Sequence, residues 1–141
     1  MGVRIRPAHA LDADLLFEWR QADENNDWWK GEPVEWEKHL DWLIPRLTSP
    51  VVSLWVGEVD NVPVGQARCD SNGELAFSID TDFRGRGYGT ELVRKATRAA
   101  KSEGWGRVKA CVDLSNEASV RTLQSAGYKL RPDVGFMRWP Q

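Results

Sequence analysis

The first part of the chain has a pattern of apolar positions that predicts a strand followed by a helix. "VRIRPA" at residues 3–8 has apolar side chains at every second position, which is the spacing of a strand with one buried face. Residues 10–20 instead place Leu11, Leu15 and Trp19 four positions apart, so that a helix would carry them on one face.

A polar segment and a second helix follow. Residues 21–33, "QADENNDWWKGEP", lack an apolar period and predict a loop. Pro33 suits the first turn of a helix, and Pro45 is expected to kink or end that helix. The apolar stripe of this helix consists of Trp36, Leu40, Leu43 and Leu47.

Three strands in a row are predicted next, at residues 51–60, 62–70 and 73–80, and Asp60-Asn61 forms a hairpin-like turn between the first two. The second half of the chain alternates between predicted helices and strands. A helix ends near Gly104, a strand follows at 107–113, a second helix ends at Gly127, and two antiparallel strands close the chain. The apolar positions of the first of these helices are Leu92, Val93, Ala96, Ala99 and Ala100.

The resulting order is β-α-α-β-β-β-α-β-α-β-β, and it predicts an α/β (α+β) fold in one domain over residues 1–141. Antiparallel strands come first, and one βαβ crossover then joins the parallel strands 73–80 and 107–113. We expect a mixed sheet of about seven strands with about four helices on its two faces.

Composition narrows the class of protein. The chain has 141 residues, 41% of them hydrophobic and 28% charged, as is ordinary for one soluble domain. A net charge of −2 makes nucleic acid an unexpected partner, and neither a signal peptide nor a membrane-spanning run is expected. Two cysteines and two histidines without ligand spacing predict no metal site, and the cytoplasm is the expected compartment.

The stretch "TDFRGRGYGT", residues 81–90, lies between a predicted strand and a predicted helix, where backbone N–H groups bind phosphate well. Its three glycines would let ligand oxygens approach the backbone, and its two arginines add positive charge. A P-loop would need a Gly-Lys-Ser/Thr ending, and a dinucleotide-binding loop would need G-x-G-x-x-G, so neither matches. The residues concerned are Arg84, Gly85, Arg86, Gly87 and Gly89.

Two segments carry a resemblance to a known family. "RGRGYG" at residues 84–89 resembles the Arg/Gln-x-x-Gly-x-Gly/Ala signature of the GNAT acyltransferase superfamily, and "NEASVRTLQSAGY" at 116–128 is similar to a later helix of that family. The predicted strand order is also similar from end to end. The resemblance implies a single GNAT acetyltransferase domain.

The family resemblance further implies that acetyl-CoA is the donor. Its pyrophosphate would lie on backbone N–H groups at the start of the helix, and its pantetheine would run along the 73–80 strand, where the family's parallel strands splay apart. The cofactor-binding residues implied are Phe77, Ile79, Arg84, Gly85, Arg86, Gly87, Tyr88, Gly89, Thr90, Asn116 and Ser119. For Asn116 a plain helix cap is the alternative.

Transfer of an acetyl group to an amine requires a base, aligned reactants and a stabilised oxyanion. Glu74 is the first candidate for the base, and the alternative is that it is only a solvated carboxylate at the end of a strand. Asp80 is the second candidate, and the alternative is that it shapes the turn after the strand. Asp113 is the third candidate. His9 and His39 are expected at the surface.

One family feature is missing from the chain. Many members carry a tyrosine that protonates the leaving thiolate, and Leu123 stands at that position, while Tyr128 falls where the family has a structural aromatic residue. Either water or another group then protonates the thiolate, or the thiolate leaves unaided. Cys111 as an acyl carrier is a further alternative, although its place in an alternating strand favours core packing.

The acceptor is expected near the loop and helix at residues 20–42, which are rich in acidic and aromatic side chains that attract cationic amines. "EWRQ" with "WEKHLDWL" is faintly similar to the GNAT branch that acetylates nucleotide-linked amino sugars, although Gln21 and Ala22 replace its Asn-Asp pair. The candidate acceptor-binding residues are Trp28, Trp29 and Glu24, with core packing of the tryptophans and a solvated loop as alternatives.

Three functions remain open from the sequence. The first is an N-acetyltransferase acting on a small amine, an amino sugar or a peptide N-terminus. The second is a CoA-binding module without turnover, which Leu123 favours. The third is a modifier of tRNA or other nucleic acid, for which a basic face on the predicted helix is the only support. A homodimer is compatible with the sequence, but no residue pattern specifies one.

Overall fold

The computed structural model describes residues 2–22, 35–111, 116–131 and 136–138 of the chain. Within these ranges, the order of helices and strands is the one predicted. The elements are β1 (Arg4–Pro7), α1 (Ala13–Ala22), α2 (Trp36–Leu47), β2 (Val52–Val59), β3 (Val62–Asp70), β4 (Leu75–Ile79), α3 (Tyr88–Ser102), β5 (Lys109–Cys111), α4 (Glu117–Ser125), β6 (Lys129–Arg131) and β7 (Phe136–Arg138).

The described strands form two sheets where the sequence predicted one. β1-β2-β3-β4 is an antiparallel sheet of four strands, and β5-β7-β6 is an antiparallel sheet of three. A parallel bridge between Glu74 and Lys109 joins them, with the Lys109 N–H donating to the Gly73 carbonyl at 2.8 Å. The predicted parallel pair therefore exists only at its first residues, because β4 and β5 diverge after this bridge.

The hairpin between β2 and β3 forms as predicted. Asp60 and Asn61 have φ angles of 52° and 66°, both in the left-handed region. Two successive residues of this kind make a turn whose twist matches that of the strands. Asp and Asn tolerate this conformation better than most side chains.

Helices cover both faces of the four-stranded sheet, as predicted. On one face, the apolar side of α3 packs on β3 and β4 through buried residues such as Leu92, Val93 and Ala96. On the other face, Leu16 and Trp19 of α1 and Leu43 of α2 form a second core with β2. We call the sheet face that α1 and α2 cover the α1–α2 face.

The prediction for Leu11 needs correction, and α2 ends two residues after Pro45. Leu11 is 89% exposed because it lies in a 3-10 turn at Ala10–Asp12, and α1 begins only at Ala13, so Leu11 is out of register with the buried face. Pro45 lies in the last turn of α2, and the helix runs on to Leu47 before it ends. Trp36, at the exposed start of α2, is only partly covered.

The prediction that His39 lies at the surface is wrong. Its side chain is fully buried between α1 and α2. Its Nε2 lies 3.2 Å from the Ala13 carbonyl, and its Nδ1 lies 3.4 Å from Nη1 of Arg20. Because a guanidinium can only donate, Nδ1 accepts and Nε2 carries the proton. Burial lowers the pKa of His39, so the neutral ring is the native form. His9 is exposed, as expected.

Candidate functional site

An open cleft of about 690 Å³ lies where β4 and β5 diverge. Its walls are β4, the 83–90 segment with the start of α3, and α4. Of the eleven predicted cofactor-binding residues, all but Arg86 line it. The lining predicted residues are Phe77, Ile79, Arg84, Gly85, Gly87, Tyr88, Gly89, Thr90, Asn116 and Ser119. A volume of this size suits a large organic ligand.

The backbone of β4 presents polar groups to this cleft. The Asp80 N–H donates to the Val64 carbonyl of β3 at 2.8 Å, and the Gly73 carbonyl accepts from β5. Because successive residues of a strand point their backbone groups to opposite sides, the N–H groups of Phe77 and Ile79 face the cleft. A ligand with amide groups can pair there as an added strand would.

The glycine segment turns into α3 through left-handed backbone. Gly85 and Gly87 have φ angles of 77° and 81°, and Gly87 is the residue that caps α3. A Cβ atom at either position would meet nothing within 4 Å, so the backbone conformation, and not lack of space, requires glycine. The N–H groups of the first helical turn lack partners within the helix, and Tyr88, Gly89 and Thr90 line the cleft there.

Gly89 serves a different purpose from the other two glycines. A Cβ atom on it would lie 3.2 Å from the Thr122 side chain and 3.5 Å from that of Ile79. Gly89 therefore lets α4 and β4 approach the start of α3. Sequence reasoning assigned it to phosphate binding alone.

The two arginines of the segment differ in position. Arg84 lines the cleft, and its Nε donates to the Ile79 carbonyl at 3.0 Å, which ties the segment to the end of β4. Arg86 does not line the cleft: its guanidinium lies over the Phe83 ring, 5.5 Å from the centroid, and donates to the Asp82 carbonyl at 3.4 Å. The Arg86 side chain thus packs on its own segment.

Asn116 caps α4 from the opposite wall of the cleft. Its Oδ1 accepts from the Ser119 N–H at 3.2 Å, and both residues line the cleft. The predicted cap is therefore present, at a position where the side chain also borders the ligand space.

The two described candidates for the base differ in their surroundings. Glu74 lines the cleft at the start of β4, and it is exposed. Asp80 lies in a smaller pocket beside α1, where Oδ1 accepts from the Asp82 N–H and Oδ2 accepts from Trp19 Nε1, both at 2.8 Å. Both Asp80 oxygens hold the turn and α1 in place, whereas Glu74 borders the cleft. Asp113 lies outside the described residues.

The side chain at position 123 brings no hydroxyl group to the cleft. Leu123 lines the cleft and is only 1% exposed. Tyr128 is buried against Thr97, with 2.6 Å between the two hydroxyl oxygens, and burial raises its pKa. Cys69 is fully buried in the core and does not line the cleft, and burial raises the pKa of its thiol to about 12. The Cys111 side chain lies outside what the structure describes.

The acceptor-binding residues predicted from the sequence, Trp28, Trp29 and Glu24, lie outside the described residues. Among the described residues, sequence reasoning missed three arginines that surround the Trp42 ring on the α1–α2 face. Arg20, Arg46 and Arg68 have their guanidinium carbons 5.5, 4.7 and 5.5 Å from its centroid. Trp42 and Arg46 are four residues apart on a predicted helix, and this spacing could have predicted that their side chains contact each other.

Other classes of site find no support among the described residues. No group of three or more potential metal ligands occurs among them. Within the same ranges, no helix has the length and apolar character needed to cross a membrane. The basic face of α3 is partly used inside the fold, because Arg94 donates to the Ser125 carbonyl and Lys95 to the Val3 carbonyl.

Comparison with known proteins gives the family. The family model of the acetyltransferase (GNAT) domain matches residues 3–129. An uncharacterized N-acetyltransferase of Methanocaldococcus jannaschii is 32% identical over 138 residues, which cover 89% of this chain. The chain spans 60% of the length of that curated relative.

Solved structures share the fold. AAC(6')-Ib, in complex with ribostamycin and coenzyme A, superposes with a TM-score of 0.80 at 20% identity, over 98% of this chain and 91% of that one. The yncA protein of Salmonella typhimurium, solved with its cofactor acetyl-CoA, has a TM-score of 0.79 at 20% identity, over 98% and 93%. The diverging strands, the glycine segment and the family match agree, and the chain belongs to the GNAT acetyltransferase family.

Proposed function

We propose that the protein is an acetyl-CoA-dependent N-acetyltransferase in which a primary amine attacks the thioester directly in a ternary complex. The observation that carries this proposal is the cleft that combines the diverging edge of β4 with a left-handed glycine segment at the start of α3. An edge of this kind suits the amide groups of pantetheine, and the helix start suits a pyrophosphate.

Each part of the cleft has a role in this proposal. The N–H groups of Gly87 to Thr90 hold the pyrophosphate, and those of Phe77 and Ile79 hold the pantetheine arm and the thioester oxygen, where negative charge develops. Asn116 and Ser119 border the same arm from α4. Acetyl-CoA, when bound, supplies the activated acetyl group.

Glu74 is the proposed base, because it is the carboxylate of the described cleft lining. It takes a proton from the acceptor ammonium, directly or through water, before attack. Asp80 is the less favoured candidate, since both of its oxygens accept hydrogen bonds from the fold. With Leu123 in the cleft wall, the C–S bond breaks without a tyrosine donor, and the sulfur leaves as a thiolate, which its ordinary pKa near 8.5 allows. The proton that the attacking nitrogen loses as the amide forms passes to water or to this thiolate.

The acceptor is a small amine, an amino sugar or a peptide N-terminus. AAC(6')-Ib, which shares the fold, binds the aminoglycoside ribostamycin. An amino sugar is therefore the first acceptor to test. The proposed reaction takes place in the cytoplasm and requires neither a membrane nor a nucleic acid.

The test is thiol release from acetyl-CoA across a panel of amines, with the acetylated product identified by mass spectrometry. We expect at least one amine to stimulate release, and we expect Glu74→Gln to lower kcat by about a hundredfold, in the range of general-base contributions. The matched control is Glu37→Gln, which makes the same change at an exposed carboxylate on α2 that does not line the cleft, and it should change kcat little.

The alternative is a CoA-binding module without turnover, which the buried leucine at position 123 favours. Saturable CoA binding with no stimulation by any amine would support this alternative and overturn the enzyme proposal. A Glu74→Gln variant with wild-type kcat across the pH range would instead remove Glu74 from the mechanism and leave the transferase in place.

A further inference from the structure

One basic side chain of the cleft has no role in the reaction proposed above. The basic residues of the described cleft lining are Arg68, Arg84 and Arg121. The Arg68 guanidinium lies against the Trp42 ring, and Arg84 donates to the Ile79 carbonyl, so the fold already uses both. Arg121 differs from them. The inference drawn from it rests on the proposed function, because it concerns the binding of CoA.

The Arg121 side chain is accessible to a ligand. It is 71% exposed, and its Nη1 lies 3.9 Å from Oε2 of Glu117, one turn earlier on α4. The Glu117 side chain is 83% exposed. An ion pair at this distance between two exposed side chains is weak, because water screens it. Arg121 can therefore turn from Glu117 to an anion in the cleft with little loss of free energy.

Helix α4 places Arg121 at the rim of the cleft. Ala118, Arg121, Thr122 and Ser125 line the cleft at spacings of three and four residues, so they share one side of the helix. Arg121 and Ser125 are exposed, whereas Leu123 is 1% exposed and belongs to the floor of the cleft. The Arg121 guanidinium therefore lies on the side where the cleft opens to solvent.

This rim is next to the glycine segment. A Cβ atom on Gly89 would lie 3.2 Å from the Thr122 side chain, so the residue after Arg121 packs against the start of α3. Further along α3, Arg94 donates to the Ser125 carbonyl of α4 at 2.7 Å, which holds the two helices together. Arg121 thus stands on a fixed wall beside the N–H groups proposed to hold the pyrophosphate.

The charges around this end of the cleft favour a further phosphate group. Besides its pyrophosphate, CoA carries a phosphate ester on the 3′ oxygen of its ribose, with about two negative charges at neutral pH. Glu74, the carboxylate of the described lining, lies at the opposite end of β4 from the glycine segment. Arg86 packs on its own segment over Phe83. Of the cations at this end, Arg121 is the one whose described contact, with Glu117, is weak.

We infer that the guanidinium of Arg121 binds the 3′-phosphate of CoA, and that the protein thereby distinguishes CoA from 3′-dephospho-CoA. A guanidinium donates two parallel N–H bonds to phosphate oxygens, so the contact is directional as well as electrostatic. The pyrophosphate stays on the N–H groups of Gly87 to Thr90, and Arg121 takes no part in the acetyl transfer itself.

Calorimetric titration compares CoA with 3′-dephospho-CoA, which keeps the pyrophosphate and the pantetheine arm and lacks only the phosphate in question. For the wild-type protein, we expect the Kd for CoA to be lower by about tenfold or more, as a charge-assisted contact gives. The difference should decrease as the salt concentration is raised, because ions screen an exposed contact.

The variants replace Arg121 and a control arginine. Arg121→Gln should weaken CoA binding until the two Kd values are nearly equal, with the Kd for 3′-dephospho-CoA unchanged. Arg121→Lys, which keeps the charge but not the two parallel donors, should retain part of the preference. Arg98→Gln, which replaces an exposed arginine on α3 that does not line the cleft, should keep the wild-type ratio. Thermal melting checks that each variant folds.

The outcomes separate this inference from the proposed function. Equal Kd values for both ligands in the wild type, or a wild-type ratio in Arg121→Gln, would overturn the inference alone. Equal weakening of both ligands in Arg121→Gln would also overturn it, because Arg121 would then act on a part that the two ligands share. The absence of binding by either ligand would overturn the inference together with the proposed acetyl-CoA site.

Discussion

Gly87 and Gly104 have the same backbone requirement but different positions relative to the cleft, so the two effects of a substitution can be measured separately. Gly87 needs a positive φ at the start of α3, and Gly104 needs one after its end. A Cβ atom on either meets nothing within 4 Å, so the two sites share the same backbone demand. They differ in that Gly87 borders the cleft and Gly104 does not.

This pair gives a controlled prediction. Gly87→Ala and Gly104→Ala should each cost about 1 kcal/mol of unfolding free energy, because an L-residue resists the left-handed region. Only Gly87→Ala should weaken CoA binding, by about tenfold or more, because it shifts the N–H groups that hold the pyrophosphate. Calorimetric titration with CoA checks this, and equal affinities for the two variants would contradict it.

At the scale of elements, the packing of α1 against α2 depends on a buried neutral imidazole. His39 contacts the Ala13 carbonyl of α1 and lies beside Arg20 of α1, while its own helix is α2. Protonation would place a second positive charge next to Arg20 inside a core. The contact between these helices is therefore sensitive to pH.

The sign follows from the lowered pKa of His39 in the folded state. Below pH 6.5, the ordinary value, the unfolded chain takes up a proton that the folded chain does not, so stability falls as pH decreases through that range. Above pH 6.5 the contribution is constant. The pKa of Asp12 is also lowered in the folded state, so this carboxylate stabilises the fold above pH 3.8 and the contribution is lost as pH falls below that value.

Urea unfolding between pH 7 and pH 5 measures the effect. We expect the wild-type free energy of unfolding to decrease over this range, and we expect His39→Gln to lack most of that decrease. His9→Gln, which replaces the exposed histidine, should retain it. The same pH dependence in His39→Gln as in the wild type would rule out His39 as its source.

The buried position of His39 shows where sequence reasoning about elements failed. His39 and Leu43 are one turn apart on α2, and both are fully buried. Counting the histidine with the apolar stripe would have predicted this, but the stripe was assigned from apolar side chains alone. Leu11 failed for the opposite reason, because an apolar side chain was assigned to a helix that begins two residues later.

At the scale of the whole molecule, local patterns predicted the order of elements and the place of the cleft. The turn at Asp60-Asn61 depends on the backbone of two neighbouring residues, and it was predicted correctly. Gly85 and Gly87 likewise have left-handed backbone, but the close packing at Gly89 involves Thr122 and Ile79 and could not be predicted from neighbouring residues. The division into two sheets could not be read in this way, because β5 pairs with β7 across a distance of more than twenty residues. The three arginines around the Trp42 ring likewise come from three separate elements.

The central claim of this account is that the diverging strands and the glycine segment form one acetyl-CoA site. Amide NMR spectra recorded during an acetyl-CoA titration test this claim most directly. We expect saturable shifts and slower hydrogen exchange at Phe77, Ile79 and Tyr88 to Thr90, with little change at Ser102 at the far end of α3. The absence of saturable binding, or shifts confined to other parts of the chain, would contradict the account.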